Sequence, residues 1–442
     1  MAATGNKVHV DLLHMHKSTR ELVQEQVDLS KKMGCDDQFV ICDLGDIIDK
    51  YQQWTKLMPR VKPFYAVKCN NDSAVLKVLS DCGASFDCAS KDEVQKILSL
   101  GVSPSRIIYA NTVKQPSMLK YTVEHGVSLM TFDSEAELRK IKSLCPDAKL
   151  VLRTLPAGDF KCKIDLRQKF GCPLSKIRTL LQTAKDLDLD VVGTSFHVGS
   201  GCHDGNAYIA SIRQARSVFN MAAELGINMK LLNIGGGYPG ESNSRETFIK
   251  ITEAVNKQLD KDFTEDDNVE IIAEPGSYMV SSSAVLAVNI IGKRMLSRKD
   301  LYNEEDIMTA GGDDDALSVM YYVNDGVYGS FTDVLIVPEN LDLDVQTLTC
   351  NKDEICYEST IWGPTCCGFD CIIKSTKLPM SEVGDWFYFR DMGAYTIVFV
   401  CSFNGMTSPR RIFVCAVETW RKIYPDSHDG DLIMPENKSN GF

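Results

Sequence analysis

The chain carries a lysine, an aspartate, an arginine, a histidine, a glycine triplet and a glutamate, each at or near the end of a short apolar run. Lys68 ends "PFYAVK", Asp87 stands within "SFDCAS", Arg153 ends "LVLR", and His197 ends "GTSFH". Gly235, Gly236 and Gly237 end "LLNIGGG", and Glu274 ends "EIIAE". A partly buried lysine loses proton affinity, which frees its amine to form a Schiff base with a carbonyl compound. Consecutive residues without Cβ let backbone N–H groups approach an anion closely. Each feature also has a plainer reading: a surface lysine, a tight turn, a satisfied core histidine, a glutamate that only pairs with Arg153.

The elements that must position these residues favour chemistry. After an initial strand-like "QFVICDL", eight β-rich runs follow: "VKPFYAVK", "SFDCAS", "RIIYAN", "SLMTFD", "KLVLRT", "DVVGTSFHVG", "KLLNIGGG" and "VEIIAEPG". Between them lie runs such as "SAVLKVLSDCG", "SEAELRKIKSLC", "LSKIRTLLQTAKDL" and "NAYIASIRQARSVFNMAAELG", with apolar residues at three-to-four spacing. Strands alternating with helices eight times predict an α/β chain built on a (β/α)8 barrel, whose functional groups gather at the C-terminal ends of the strands. After about residue 283 the rhythm becomes strands and turns, which predicts a C-terminal all-β domain. The expected organisation is an N-terminal segment 1–37 packing with the β domain, the barrel at 38–283, the β domain at 284–422 and a loose tail at 423–442. Residues 296–315 read as a charged excursion between strands.

A lysine, a histidine, a glutamate, an arginine and a glycine nest at separate strand ends of one barrel meet the needs of pyridoxal 5′-phosphate. These are a Schiff-base lysine, a ring stacker, a carboxylate for the pyridine nitrogen and a phosphate cradle.

Composition narrows the partners. A net charge of −12 over 442 residues opposes nucleic-acid binding. No leader pattern and no stretch of about 18 apolar residues occurs, so the expectation is a cytoplasmic chain with no membrane contact. The sixteen cysteines are scattered through apolar runs and are expected to be mostly reduced. The seven histidines fall in no metal-ligand spacing, His14 and His16 forming only an HxH pair, so no metal is expected.

The motifs "KPFYAVKCN", "FDCASKDE", "MTFDSEAEL", "SFHVGSGC", "NIGGGYPG", "AEPGSY", "YYVNDGVYGSF", "WGPTC" and "GDWFYFRDMGAYT" resemble, in order and over nearly the whole chain, the eukaryotic ornithine decarboxylase family of alanine-racemase-fold enzymes. The resemblance implies a barrel plus β domain and a head-to-tail homodimer with shared active sites. By position it implies that Lys68 bonds the cofactor, His197 stacks on its ring, and Glu274 pairs with the pyridine nitrogen. Asp87 and Arg153 support that arrangement. Ser200, Gly235, Gly236, Gly237, Ser277 and Tyr395 complete the cofactor set. Cys366 matches the cysteine that protonates the substrate carbon after CO2 leaves. Tyr322, Asp325 and Phe403 match further active-site positions, and Lys169 and Asp370 match an intersubunit ion pair.

Three departures matter more than the matches. Cys367 and Val337 stand where the family places two aspartates on the distal ammonium of ornithine. Both counter-charges are gone, and only Asp333 or Glu339, with a shifted loop register, could restore one. A buried ammonium without them loses roughly 3–5 kcal/mol. The remaining pocket, with Tyr322, Val337, Cys367 and Phe403, suits an apolar side chain. Ser277 replaces an arginine on the cofactor phosphate and is shared with antizyme inhibitors, the inactive relatives that sequester antizyme. The expected function is decarboxylation of an apolar amino acid, leucine or another branched-chain residue. The competing reading is an antizyme-regulating pseudoenzyme. The segment 114–140 matches the family's antizyme-binding region, with Lys114, Lys120, Arg139 and Lys140 expected to supply positive charge. It is similar but not identical, which leaves antizyme binding open.

Overall fold

The computed structural model describes residues 7–297, 317–337, 343–348, 355–427 and 429–435. Nearly all of the expected excursion at 296–315 lies outside the described residues, as does Glu339. The chain divides into two compact units, one of residues 1–10, 44–281 and 418–442, the other of 11–43 and 282–417.

Strands β1 (Lys7–Leu13) and β2 (Phe39–Asp43) precede the barrel of the first unit. The barrel strands are β3 (Val61–Ala66), β4 (Ser85–Cys88), β5 (Ile107–Tyr109), β6 (Leu129–Phe132), β7 (Lys149–Arg153), β8 (Asp190–Ser195), β9 (Leu231–Asn233) and β10 (Glu270–Ala273). They close in chain order, β10 pairing with β3 through Ile271 opposite Val61. All eight runs read from the sequence are barrel strands. The interior is filled by Phe64, Ile108, Val151, Leu231 and Ile272, each burial of this kind contributing about 1.5–3 kcal/mol.

The connecting helices set where the strand ends point. Helix Ser73–Cys82 starts at Asp72, whose carboxylate accepts the N–H of Ala74 at 2.8 Å, and stops at Gly83, where φ is +101°. Such an oxygen cap and a left-handed glycine end fix both termini of a short helix. The chain then returns directly into β4, which carries Asp87. Helix Lys91–Ser99 leaves that strand with Ser90 as its cap.

The segment 114–140 folds as helix Pro116–Glu124, strand β6 and helix Glu135–Leu144. The positive surface expected there is smaller than the sequence implies. Lys114 is 1% exposed, with its ammonium 2.9 Å from Glu137 and donating to the Thr131 carbonyl at 2.6 Å. Lys140 pairs with the same carboxylate at 2.5 Å, and Arg139 holds Glu135 one turn away at 2.6 Å. A buried lysine is tolerable only with such partners. Lys120 and Arg139 are left to present charge at the surface.

The second unit is built on a mixed sheet. Its strands are β11 (Ala284–Ser297), β12 (Leu317–Val323), β13 (Val345–Thr347), β14 (Cys356–Trp362), β15 (Cys371–Pro379), β16 (Trp386–Phe389) and β17 (Arg410–Ala416). The order runs β15-β14-β12-β11-β2-β17-β1, with β16 pairing β11 and β13. Two expectations change here. The strand at 39–43, assigned to the barrel region by position, pairs antiparallel with β11 and parallel with β17. Its Phe39, Val40, Ile41 and Cys42 are all buried, the pattern of a strand covered on both faces. Helix Thr19–Met33 inserts Val23 and Val27 among Phe39, Ile41, Trp386 and Ile412. The stretch from 423 is not all tail: strand β18 (Asp431–Ile433) pairs with Lys7–His9 of β1 and buries Leu432. Among the described residues no helix is long and apolar enough to cross a membrane.

Candidate active site

Lys68 sits in a single 3-10 turn, Val67–Cys69, directly after β3. Its ammonium lies 2.5 Å from Asp87 Oδ2, on the adjacent strand. Asp87 is 1% exposed, and its second oxygen, Oδ1, has no hydrogen-bond partner. An unsatisfied buried acceptor costs roughly 1–3 kcal/mol, which a structure retains where a ligand supplies the donor.

Glu274 follows β10 and accepts a hydrogen bond from the Asn233 amide at 2.7 Å. Burial, then the charge of Asp87, raises its carboxyl to about 7, against the opposing pull of Lys68, Asn233 and Arg153. Arg153, at the end of β7, has its affinity for the proton lowered by burial and supported by Glu274, Asp133 and Asp87. Its guanidinium stands 4.8 Å above the Phe170 ring. His197, two residues past β8, accepts the Gly199 N–H at Nδ1 at 3.0 Å. Burial first, and then the cations Arg153 and Lys68, hold it well below the ordinary imidazole value. It is therefore a neutral ring, and the Nδ1 acceptor role assigns its proton to Nε2.

The glycine triplet is demanded by crowding. A Cβ would lie 2.1 Å from the Phe196 carbonyl oxygen at Gly235, 2.5 Å from that of Glu274 at Gly236, and 2.3 Å from that of Gly199 at Gly237. Gly235 and Gly237 are also left-handed, at φ +64° and +101°. Asn233 Oδ1 takes the Gly235 N–H at 2.9 Å, so an anion cradle falls mainly to Gly236 and Gly237. Asn233 thus ties the glycine turn to Glu274, a role that sequence reasoning missed although a polar residue before "IGGG" was its signal. Ser277 begins the short helix Ser277–Val280 beside the same loop, its carbonyl oxygen 2.0 Å from where a Cβ on Gly240 would fall. Ser200 pairs by backbone with Ile164, its N–H donating at 3.0 Å.

A second cluster lies in the other unit. The Cys367 Sγ is 3.0 Å from the Tyr328 hydroxyl. The Tyr328 ring packs at 4.5 Å on Phe403, and the Cys366 N–H donates to Asn404 Oδ1 at 3.3 Å. The structure thus brings Cys367 and Phe403 together on Tyr328, with Cys366 tied by its backbone to Asn404, next to Phe403 in the chain. Tyr322 is not among them: it pairs with Gly292 and Trp362 in the sheet, its ring against Gly292. The correction is one of direction, since Tyr322 is still in β12 and Tyr328 lies beyond the turn that follows. Val337 ends the short helix Asp333–Ile336, with its N–H on Asp333. Tyr395, at φ +54°, stacks on Phe399.

Two carboxylates beside this cluster are engaged with their own loops. Asp370, 1% exposed, accepts from Val327 N–H at 2.8 Å, Thr365 N–H at 2.9 Å and the Thr365 hydroxyl at 2.6 Å. This is work inside one subunit, distinct from the ion pair with Lys169 that the resemblance implies. Asp325 accepts from Gly326 and Ser330 N–H groups.

Residues 44–281 match the family model for the pyridoxal-binding domain of pyridoxal-dependent decarboxylases. The chain belongs to the pyridoxal-dependent decarboxylases. It is similar to ornithine decarboxylase of Rattus norvegicus, 42% identical over 96% of this chain and 88% of the relative. It is also similar to antizyme inhibitor 2 of Xenopus laevis, 44% identical over 91% of this chain and 87% of the relative. Among solved structures it resembles the arginine decarboxylase of Paramecium bursaria Chlorella virus bound to agmatine, with a TM-score of 0.80, 36% identity, and coverage of 90% of this chain and all of that one.

The residues present suit the cofactor of the pyridoxal-dependent decarboxylases. The unsatisfied Asp87 oxygen, the neutral His197 ring, the glycine turn closed to any Cβ and the elevated Glu274 carboxyl are each explained by a bound cationic heteroaromatic phosphate.

Asp325 gives this decarboxylase a testable pH dependence. Burial raises its carboxyl to about 6, whereas in the unfolded chain it ionises near the ordinary value of about 3.9. Between those values the unfolded chain releases a proton that the folded chain keeps, so stability falls as pH rises through the window and levels above it. About 2 units correspond to about 3 kcal/mol. Urea unfolding between pH 4 and 7 should show wild type losing stability relative to Asp325→Asn, and parallel profiles would contradict the assignment.

Proposed function

We propose that this chain decarboxylates an apolar L-amino acid, with leucine or another branched-chain residue as first choice, to CO2 and a primary monoamine. The supporting observation is the neutral setting of Cys367, whose thiol meets the Tyr328 hydroxyl beside the Phe403 ring while Asp325 and Asp370 bond to backbone. An ammonium placed there lacks partners worth roughly 3–5 kcal/mol, whereas burying a leucine-sized side chain contributes about 1.5–3 kcal/mol.

Pyridoxal phosphate, when bound, supplies the sink for the electron pair left on the substrate carbon as CO2 departs. The chain's own residues do the rest. Lys68 would hold the cofactor covalently, its amine oriented by the Asp87 carboxylate 2.5 Å away. His197 would offer a neutral face for stacking, and Glu274, its carboxylate favoured by Arg153, would be the partner of a protonated pyridine nitrogen with Asp87 beside it. Gly235, Gly236, Gly237, Ser200, Ser277 and Tyr395 would hold the phosphate end. Cys366 of the partner subunit, in a cytoplasmic homodimer with shared sites, protonates the substrate carbon. The ratio of leucine to ornithine turnover by purified holoenzyme tests this reading: a ratio favouring ornithine overturns it.

Ser277 supports a second reading, an antizyme-binding regulator, together with the similarity to antizyme inhibitor 2. A serine offers the phosphate only a hydroxyl, in place of a charge-assisted contact of about 1.5–3 kcal/mol. Ser277→Arg should therefore tighten pyridoxal phosphate roughly ten- to a hundredfold in an absorbance titration. An unchanged affinity would remove Ser277 from the phosphate site. Failure of the wild-type chain to bind the cofactor, together with capture of antizyme, would favour the regulator.

A further inference from the structure

The loop between β14 and β15 is fixed at its base and open at its tip. Gly363 N–H bonds the Asp370 carbonyl at 2.8 Å, and the buried Asp370 carboxylate holds Thr365 and Val327. Within one subunit, beyond that clamp, Cys366 is exposed, Phe369 is 77% exposed, and no atom stands within 4 Å of a Cβ on Gly368. Cys367 is half-buried, its sulfur held by the Tyr328 hydroxyl at 3.0 Å. An exposed thiol therefore adjoins, in sequence, a second thiol that the Tyr328 hydroxyl orients.

We propose that Cys366 and Cys367 form an oxidant-sensitive dithiol, which peroxides close to a disulfide and dithiol reductants reopen. The Cys366 thiolate attacks one peroxide oxygen, breaking the O–O bond and giving a sulfenic acid and hydroxide. The Cys367 sulfur then displaces the sulfenic hydroxyl, which leaves as water after protonation. Two thiols lose two electrons, and hydrogen peroxide gains them to become two waters. Adjacency gives the second sulfur an intramolecular advantage, while the strain of so small a ring keeps the product reducible. Cys401 is the rival partner, but its N–H and sulfur are both on the Tyr328 carbonyl, at 3.1 and 3.3 Å.

Closure removes the thiol proton of Cys366, and the resulting loss of turnover rests on the proposed role of that residue. The test treats holoenzyme with hydrogen peroxide, alkylates it without reduction, and maps peptides by mass. The peptide containing both cysteines should lose two hydrogens, regain them with dithiothreitol, and recover turnover in parallel. Cys401→Ser should behave the same way. Cys367→Ser, compared with its own untreated rate, should lose turnover beyond rescue by dithiothreitol, because its sulfenic acid has no adjacent thiol to capture it and a second peroxide oxidises it to the sulfinic acid, releasing water, a state that dithiothreitol does not reduce. A Cys366–Cys401 link, or an unshifted peptide, overturns the proposal. Closure with turnover retained upholds the dithiol and counts against Cys366 as proton donor.

Discussion

Lys68→Ala should abolish CO2 release and the visible absorbance of covalently held cofactor, for every amino acid supplied. The lysine stands on a one-turn 3-10 segment at the barrel mouth, where its ammonium has reached a carboxylate that is itself almost wholly buried. Among the described residues no other lysine follows a barrel strand within two residues of its end. Activity depends on the amine as nucleophile, and alanine leaves none. The loss should not be a folding artefact, because Lys68 is 43% exposed at its side chain and contributes no core packing. Circular dichroism and thermal unfolding of the variant check that point. Asp87 would lose the ammonium on its Oδ2, so a modest fall in stability is expected alongside an intact fold. Unchanged CO2 release from Lys68→Ala would refute the assignment of the whole barrel site.

Replacing Cys367 and Val337 together by aspartate should raise ornithine turnover relative to leucine by a hundredfold or more. The magnitude follows from restoring partners worth roughly 3–5 kcal/mol to a desolvated ammonium. Position 367 is ready for a carboxylate, because the Tyr328 hydroxyl that meets its sulfur can donate to an oxygen instead. Val337 ends a one-turn helix and is half-buried, so a carboxylate there is not sealed from solvent. Leucine should suffer in the same variant, since its side chain would then face two charges. Competition between the two amino acids, with both amines quantified, reads the ratio directly. An unmoved ratio would discredit positions 367 and 337 as the determinants.

Much of the barrel was legible because its information is local. Each strand is a short apolar run closed by a polar residue, and each helix shows three-to-four spacing, so Lys68, Arg153, His197 and Glu274 could be placed at strand ends without knowing which strands pair. What remained hidden depends on distant pairing. Phe39–Asp43 reads like any buried strand, and only its partners β11 and β17 place it outside the barrel. Lys114 looks like surface charge until Glu137, on the next helix, folds over it. "YYVNDGVYGSF" offers three tyrosines, and nothing in the letters says that the turn after β12 carries the third, Tyr328, to Cys367. Asn233 was visible but unweighted, since its value lies in joining Gly235 to Glu274 across two strands.

The most direct measurement is a substrate panel. Purified protein loaded with pyridoxal phosphate is given each amino acid in turn, and CO2 and the product amine are quantified. The expected result is release from leucine or another branched-chain amino acid with little or none from ornithine, arginine or lysine. Preferential release from a diamino acid, or no release from any amino acid by cofactor-loaded protein, would contradict it.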